Sequence, residues 1–159
     1  MTYRRGMSEH KATVAWKRTT ADFSYDTYNR NHAVTYGGGT GQELSAAPEF
    51  KGDDKRPNPE ELLVAALSSC HMLTFLAIAA KKLLVVDSYE DAAVGRLTKN
   101  SKGKLFVSHV VLKPVVRFAT AVDEKAIAEI HHRAHEECFI ANSVLTEVRV
   151  EPAGAMLSG

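Results

Sequence analysis

From Leu62 to Ala80 this chain is apolar on nearly every side of a helix. The run is opened by Asn58-Pro59-Glu60-Glu61 and closed by Lys81-Lys82. Asparagine is a good N-cap, proline suits the first helical position, and two acids face the positive end of the helix dipole. The lysines suit its negative end. A helix apolar all round is either a core helix or a membrane span. Ser68, Ser69, Cys70, His71 and Thr74 interrupt the run, and β-like segments follow at once, so a core helix is expected. A chain of 159 residues with two helices has little else to cover it. The expectation is therefore a second copy of the chain, intertwined with the first, burying the helix between them.

The remaining segments set the fold class. Residues 10–17 partly alternate and read as a strand, and residues 22–36, rich in aromatic and β-forming residues, read as its hairpin partner. Gly37 to Gly41 breaks the pattern, and a loop is expected from there to about Pro59. Residues 85–98 and 104–118 read as a hairpin around Asn100-Ser101-Lys102-Gly103, with Pro114 demanding an edge or a bulge. Asp123 to Cys138 reads as an amphipathic helix capped by Asp123, and Val144 to Val150 as a last strand. The tail from about residue 152 reads as loose. Strands, helix, strands, helix, strand is an α+β order, with antiparallel sheets around a long buried central helix, and the length fits one domain over 1–159.

Charge excludes some partners. Twenty Lys+Arg against 19 Asp+Glu give a formal charge of +1. That balance argues for neither nucleic acid nor an anionic membrane surface. The opening MTYRRGMSEH has basic residues with no apolar run behind them, so no secretory signal is read there. Two cysteines are too few for a disulfide-stapled secreted fold. A cytoplasmic location is the default expectation, and there two thiols are catalytic, metal-binding or inert more often than structural.

Cys70 sits mid-helix in the polar cluster Ser68-Ser69-Cys70-His71, and Cys138 follows 68 residues later. Cys70 reads either as an inert core thiol or as a reactive one. A reactive thiol needs a positive group nearby. The helix N-terminus cannot serve, because Glu60 lies ten residues before Cys70, about 15 Å along the axis. For Cys138 three readings stand. It is a half-buried helix-end thiol, a zinc ligand with His131 and His135 on one helix face, or the thiol that captures an oxidised Cys70. The run GGGTG lacks a nucleotide-binding context, and neither HExxH nor GxSxG occurs.

The segment NPEELLVAALSSC, with glutamate ten residues before cysteine, resembles the signature of the OsmC/Ohr family, osmotically inducible protein C and organic hydroperoxide resistance proteins. HEECFIANSVL resembles that family's second-cysteine segment, and the element order extends the resemblance over nearly the whole chain. The resemblance implies an intertwined homodimer with sites between subunits. It implies a thiol peroxidase that reduces organic hydroperoxides, and hydrogen peroxide less well, with no bound cofactor and no metal. Cys70 maps onto the peroxidatic cysteine, Cys138 onto the resolving cysteine, and Glu60 onto the glutamate that orients a catalytic arginine. Where one subgroup carries that arginine this chain has Glu49, so Arg30 is the first expectation and Arg56 the second. The implied partners are a second subunit, a hydroperoxide and an external dithiol reductant. Met72, Leu73 and Phe75 are expected to wall the site for the alkyl part of the substrate. The rival from another class is a non-catalytic dimeric redox sensor or binding protein of the same fold.

Overall fold

A computed structural model describes residues 8–158. The reading of the first ten residues falls mostly on 1–7, which lie outside the described residues. The chain divides into two compact units, the first ending at Pro59 and the second beginning at Glu60.

The first unit is an antiparallel sheet of β1 (Ala12–Ala15), β2 (His32–Tyr36) and β3 (Gly41–Leu44), in that order. β2 and β3 form a tight hairpin, so the glycine run is a hairpin tip rather than the start of a long loop. Gly39, at φ 86°, turns it, and the Tyr36 carbonyl accepts the Gly39 N–H at 2.9 Å. Aromatic content predicted a strand over 22–36, yet β2 begins only at His32. The preceding residues form a closed loop. Asn29 ties it shut, donating from Nδ2 to the Lys17 carbonyl at 2.9 Å and accepting the Thr19 N–H at 2.9 Å. The Trp16 indole donates to the Asn29 carbonyl at 2.7 Å. Side-chain closure of this kind outcompetes ladder pairing where asparagine is available.

The second unit holds the long helix α1 (Pro59–Lys81), the strands β4 (Val86–Asp91), β5 (Val94–Lys99), β6 (Leu105–Leu112) and β7 (Pro114–Phe118), the helix α2 (Glu124–Glu137), and the strands β8 (Glu147–Val150) and β9 (Gly154–Leu157). α1 begins on proline with both acids in its first turn. It ends in a Schellman turn: the Leu84 N–H reaches the Ala79 carbonyl and the Leu83 N–H reaches the Ala80 carbonyl, each at 3.0 Å. Leu83 holds the left-handed position there at φ 59°, where glycine is usual.

The expected hairpin is present but broken in two. β5 pairs with β6 and β4 with β7, so the order is β5-β6-β8 in one sheet and β4-β7-β9 in the other. Pro114 explains the break, because it opens β7 and has no N–H for the ladder. The preceding N–H, of Lys113, leaves the ladder too and donates to Asp91 Oδ1 at 2.6 Å. The other Asp91 oxygen accepts Ser68 Oγ of α1 at 2.5 Å. One carboxylate thus fastens the kink to the middle of the long helix.

Two expectations are corrected by the C-terminal strands. β8 pairs with β6, and β9 with β7, both in parallel, so these two sheets are mixed, while every other pairing among the described residues is antiparallel as expected. The tail read as loose carries β9. Both strands follow the kink, the Glu151 N–H bonding to the Leu112 carbonyl at 2.8 Å and the Ala153 N–H to the Pro114 carbonyl at 2.9 Å.

α1 spans two apolar clusters. Its first half packs Leu67 with Val110 and Leu112 of β6. Gly95 of β5 permits that approach, since a Cβ there would lie 2.5 Å from Val64 Cγ2. Its second half packs Phe75, Ile78 and Ala79 with Val116 and Phe118 of β7 and Ile127, Ile130 and Ala134 of α2. Cys70 and His71 fall at the junction. Within one chain, however, α1 is not buried all round: it is long and apolar enough to cross a membrane, and only 28% of its most apolar window is buried. Leu73 is 60% exposed.

Candidate functional site: a thiol pair between two helices

The structure brings Cys70 and Cys138 together. Cys70 is half-buried on α1, and Cys138 occupies the C-cap of α2 with 1% of its surface exposed. Both are free thiols, and Cys70 lies close enough to Cys138 to act on its ionisation. Burial, and after it the contact with Cys70, pushes the Cys138 thiol up to about 11. Cys138 is thereby held as a thiol at neutral pH.

The chain around Cys138 is pinned. Its sulfur accepts the Ala141 N–H at 3.4 Å, and its carbonyl accepts the Asn142 N–H at 3.0 Å. Asn142 Nδ2 donates to the carbonyls of Glu136, at 2.9 Å, and Cys138, at 3.0 Å. On the other side Thr74 Oγ1 donates to the Cys70 carbonyl at 2.9 Å. Asp123 sits at the N-cap of α2 with extended backbone, but its side chain makes no capping hydrogen bond.

Beneath the thiols lies a pair that the sequence did not reveal. His71 Nε2 and His131 Nδ1 are joined by a 3.1 Å hydrogen bond between two buried rings. The rings are parallel within 4°, with centroids 5.4 Å apart. The hydrogen bond plus the two ring radii accounts for that separation, so the rings lie edge to edge rather than stacked. The Phe75 ring lies 4.4 Å from His131. Burial above all holds both imidazoles down at about 4, and His131 and His135 lower His71 further, with Asp91 opposing. His131 therefore faces His71 rather than joining a metal face with His135 and Cys138. Among the described residues no three His, Cys, Asp or Glu side chains are grouped to hold a metal ion.

The remaining site residues are placed as follows. Glu60 stands in the first turn of α1, so ten residues of helix, about 15 Å, separate it from the Cys70 of its own chain. Arg30 and Arg56 belong to the first unit. Arg30 lies in the closed loop rather than in a strand. Its guanidinium carbon is 3.6 Å from the Tyr28 ring centroid, and its terminal nitrogens donate to the carbonyls of Tyr28 and Tyr25. Arg56 donates to Asp53 at 3.0 Å and lies 4.0 Å from Glu43. Phe75 does not wall the thiol site. It is fully buried, against Tyr89, Phe118 and His131, whereas Leu73 is open and Met72 half-buried.

Residues 52–153 match the family model described as OsmC-like protein. An OsmC-like protein of unknown function from Vibrio cholerae O1 biovar eltor is 48% identical, with a TM-score of 0.87 over 92% of this chain and 99% of that one. An organic hydroperoxide resistance protein from Elizabethkingia anophelis is 18% identical, with a TM-score of 0.68 over 98% of this chain and 99% of its own, a likeness of fold. The uncharacterized protein YmaD of Bacillus subtilis (strain 168) is 23% identical over 127 residues, 77% of this chain and 84% of its own length.

Proposed function

The chain belongs to the family of OsmC-like proteins, and from that premise we propose that it is a cysteine-based thiol peroxidase of oxidative-stress defence, reducing organic hydroperoxides. The observation that carries this reading is the meeting of Cys70 and Cys138, unequal in burial, across α1 and α2. Cys70, the more accessible, attacks the O–O bond as thiolate. The hydroxyl passes to sulfur as the O–O bond breaks, which makes Cys70 a sulfenic acid, and the alkoxide leaves as the alcohol by taking up the proton that the Cys70 thiol gave up on ionising. Cys138, kept protonated by burial, condenses with it: an S–S bond forms, the S–O bond breaks, and water leaves. An external dithiol then reduces the disulfide by exchange. The cycle uses no bound cofactor and belongs in a reducing compartment such as the cytoplasm. Fold neighbours named organic hydroperoxide resistance proteins support the substrate class.

Arg30 is the proposed cation. Its ring stacking and two carbonyl contacts preorganise it, and each terminal nitrogen keeps a second N–H for sulfur or peroxide oxygen. Glu60 is its proposed partner, supplied by a second subunit because the helix holds it away from its own thiol. A homodimer also accounts for the largely uncovered α1 and for Leu73 and Leu83, 60% and 88% exposed. A monomer in sedimentation at micromolar concentration removes the shared site. The deciding assay is steady-state removal of an organic hydroperoxide and of hydrogen peroxide, side by side, with a dithiol reductant. Arg30→Ala is expected to lower kcat/KM about a hundredfold, and Arg56→Ala less than about tenfold. The reverse order moves the role to Arg56. A disulfide that forms without turnover favours the sensor.

A further inference from the structure

His71 and His131 take no part in the cycle above, and as packing they are a poor choice. Each ring is almost fully buried, one hydrogen bond joins them, and His71 Nδ1 and His131 Nε2 have no partner among the described residues. One such bond contributes about 1 kcal/mol net, while each orphaned nitrogen costs about 1–3 kcal/mol. Leucine or phenylalanine would fill the same space without that cost. What an apolar pair cannot supply is a fixed point between two helices, because dispersion contacts tolerate sliding and a hydrogen bond does not.

The geometry gives that fixed point a use. On α1, Cys70 and His71 are adjacent. On α2, His131 and its C-cap Cys138 are seven residues apart, about 10 Å along the axis. The two helices therefore touch through two polar contacts that are close together on one and far apart on the other. Turning α2 about the histidine contact swings Cys138 toward or away from Cys70. Closing two sulfurs from contact to bonding distance takes roughly 1.5–2 Å of movement. On a lever of about 10 Å that is a swing of roughly 10°.

We propose that His71 and His131 are positioning residues for disulfide formation: their hydrogen bond is the fulcrum that holds α2 at the angle presenting the Cys138 thiol to Cys70. This rests on the reading of the two cysteines as a disulfide-forming couple. The pair exchanges no electrons. The condensation is still Cys70–SOH plus Cys138–SH giving the disulfide and water, and the imidazoles act on its geometry alone.

The test is the Cys70–Cys138 thiol–disulfide equilibrium in glutathione buffers at neutral pH, read by alkylation and mass spectrometry. His131→Leu keeps the volume apolar and loses the bond. It is expected to lower the equilibrium constant for disulfide formation at least about tenfold. His131→Asn keeps a polar group at the height of Nδ1 and is expected to stay within about threefold of the unsubstituted protein. A folded His131→Leu protein within that same range overturns the proposal, as does an Asn variant that falls as far as the Leu one. If His131→Leu does not fold, the imidazole nitrogen signals of the unsubstituted protein decide. A nitrogen–nitrogen scalar coupling across the His71 Nε2–His131 Nδ1 hydrogen bond is expected in both the dithiol and the disulfide forms, and its loss in either form overturns the fulcrum. A protein that forms no Cys70–Cys138 disulfide under oxidant overturns the reading beneath it, which the mass spectrum separates from a disulfide that forms unchanged in the variant.

Discussion

Replacing Cys70 by serine is expected to abolish hydroperoxide removal, to the rate of buffer with dithiol alone, while Cys138→Ser keeps the first turnover and loses the later ones. The asymmetry follows from what surrounds each sulfur. Cys70 is the accessible member of the pair, and a serine hydroxyl is far too weak a nucleophile for the O–O bond at neutral pH. Cys138 is sealed, and burial keeps it protonated, so it cannot take over the attack. Without Cys138 the sulfenic acid on Cys70 has no intramolecular partner and advances to sulfinic acid as peroxide persists. Rapid mixing with a stoichiometric hydroperoxide reads the first turnover, and a sulfenic-acid trap reads the intermediate. Equal loss of that first turnover in both variants would falsify the assignment of roles. Full activity in Cys70→Ser would remove the thiol mechanism altogether.

The thiol pair was legible in the sequence because each cysteine sits in a segment with strong local signals. Pro59, the two acids and the closing lysine delimit α1. The amphipathic pattern delimits α2 as Glu124–Glu137, one residue inside each predicted end. What failed were decisions made far away in the chain. Nothing local in Gly154–Leu157 announces a strand, because its partner is β7, about forty residues earlier, and the pairing is parallel. Pro114 did signal a disruption, but not that Asp91 would catch the freed Lys113 N–H and tie it to Ser68. Ser68 reads with Cys70 as part of one polar cluster, whereas its hydroxyl is a structural fastening to Asp91. His131 was weighed with His135, four residues away, whereas its hydrogen-bond partner is His71, sixty residues away. A histidine inside an apolar helix was the one available signal, and it cannot name its partner before the helix crossing is known. Arg30 was placed in a strand by aromatic content, although Asn29 and Trp16 close that segment into a loop.

The same histidine pair makes the fold acid-sensitive in a definite window. Both imidazoles are held down from 6.5 to about 4, burial being the first cause for each. The groups facing His71 are His131 and His135 from α2, which lower it, and Asp91 from β4, which raises it. Between pH 6.5 and about 4 the unfolded chain takes up protons that the folded one refuses. The unfolded state then binds more protons, so stability rises with pH across this window and is lost as pH falls through it. Each shift alone corresponds to on the order of 3 kcal/mol. The two titrations are coupled through one hydrogen bond, so about 3–5 kcal/mol is expected for the pair, a large part of an ordinary domain's 5–15 kcal/mol. Double protonation would also put two N–H groups face to face where the hydrogen bond now stands. Surface carboxylates such as Glu147 and Asp26 titrate from 4.5 and 3.8 downward, so their contribution lies at the acid edge of the window. Urea midpoints are expected to fall steadily from pH 6.5 to 4.5, with the slope largely gone in a His71→Leu/His131→Leu double variant. An unchanged midpoint across that range, or a double variant with the same slope, would mean that the buried pair is not what acid attacks.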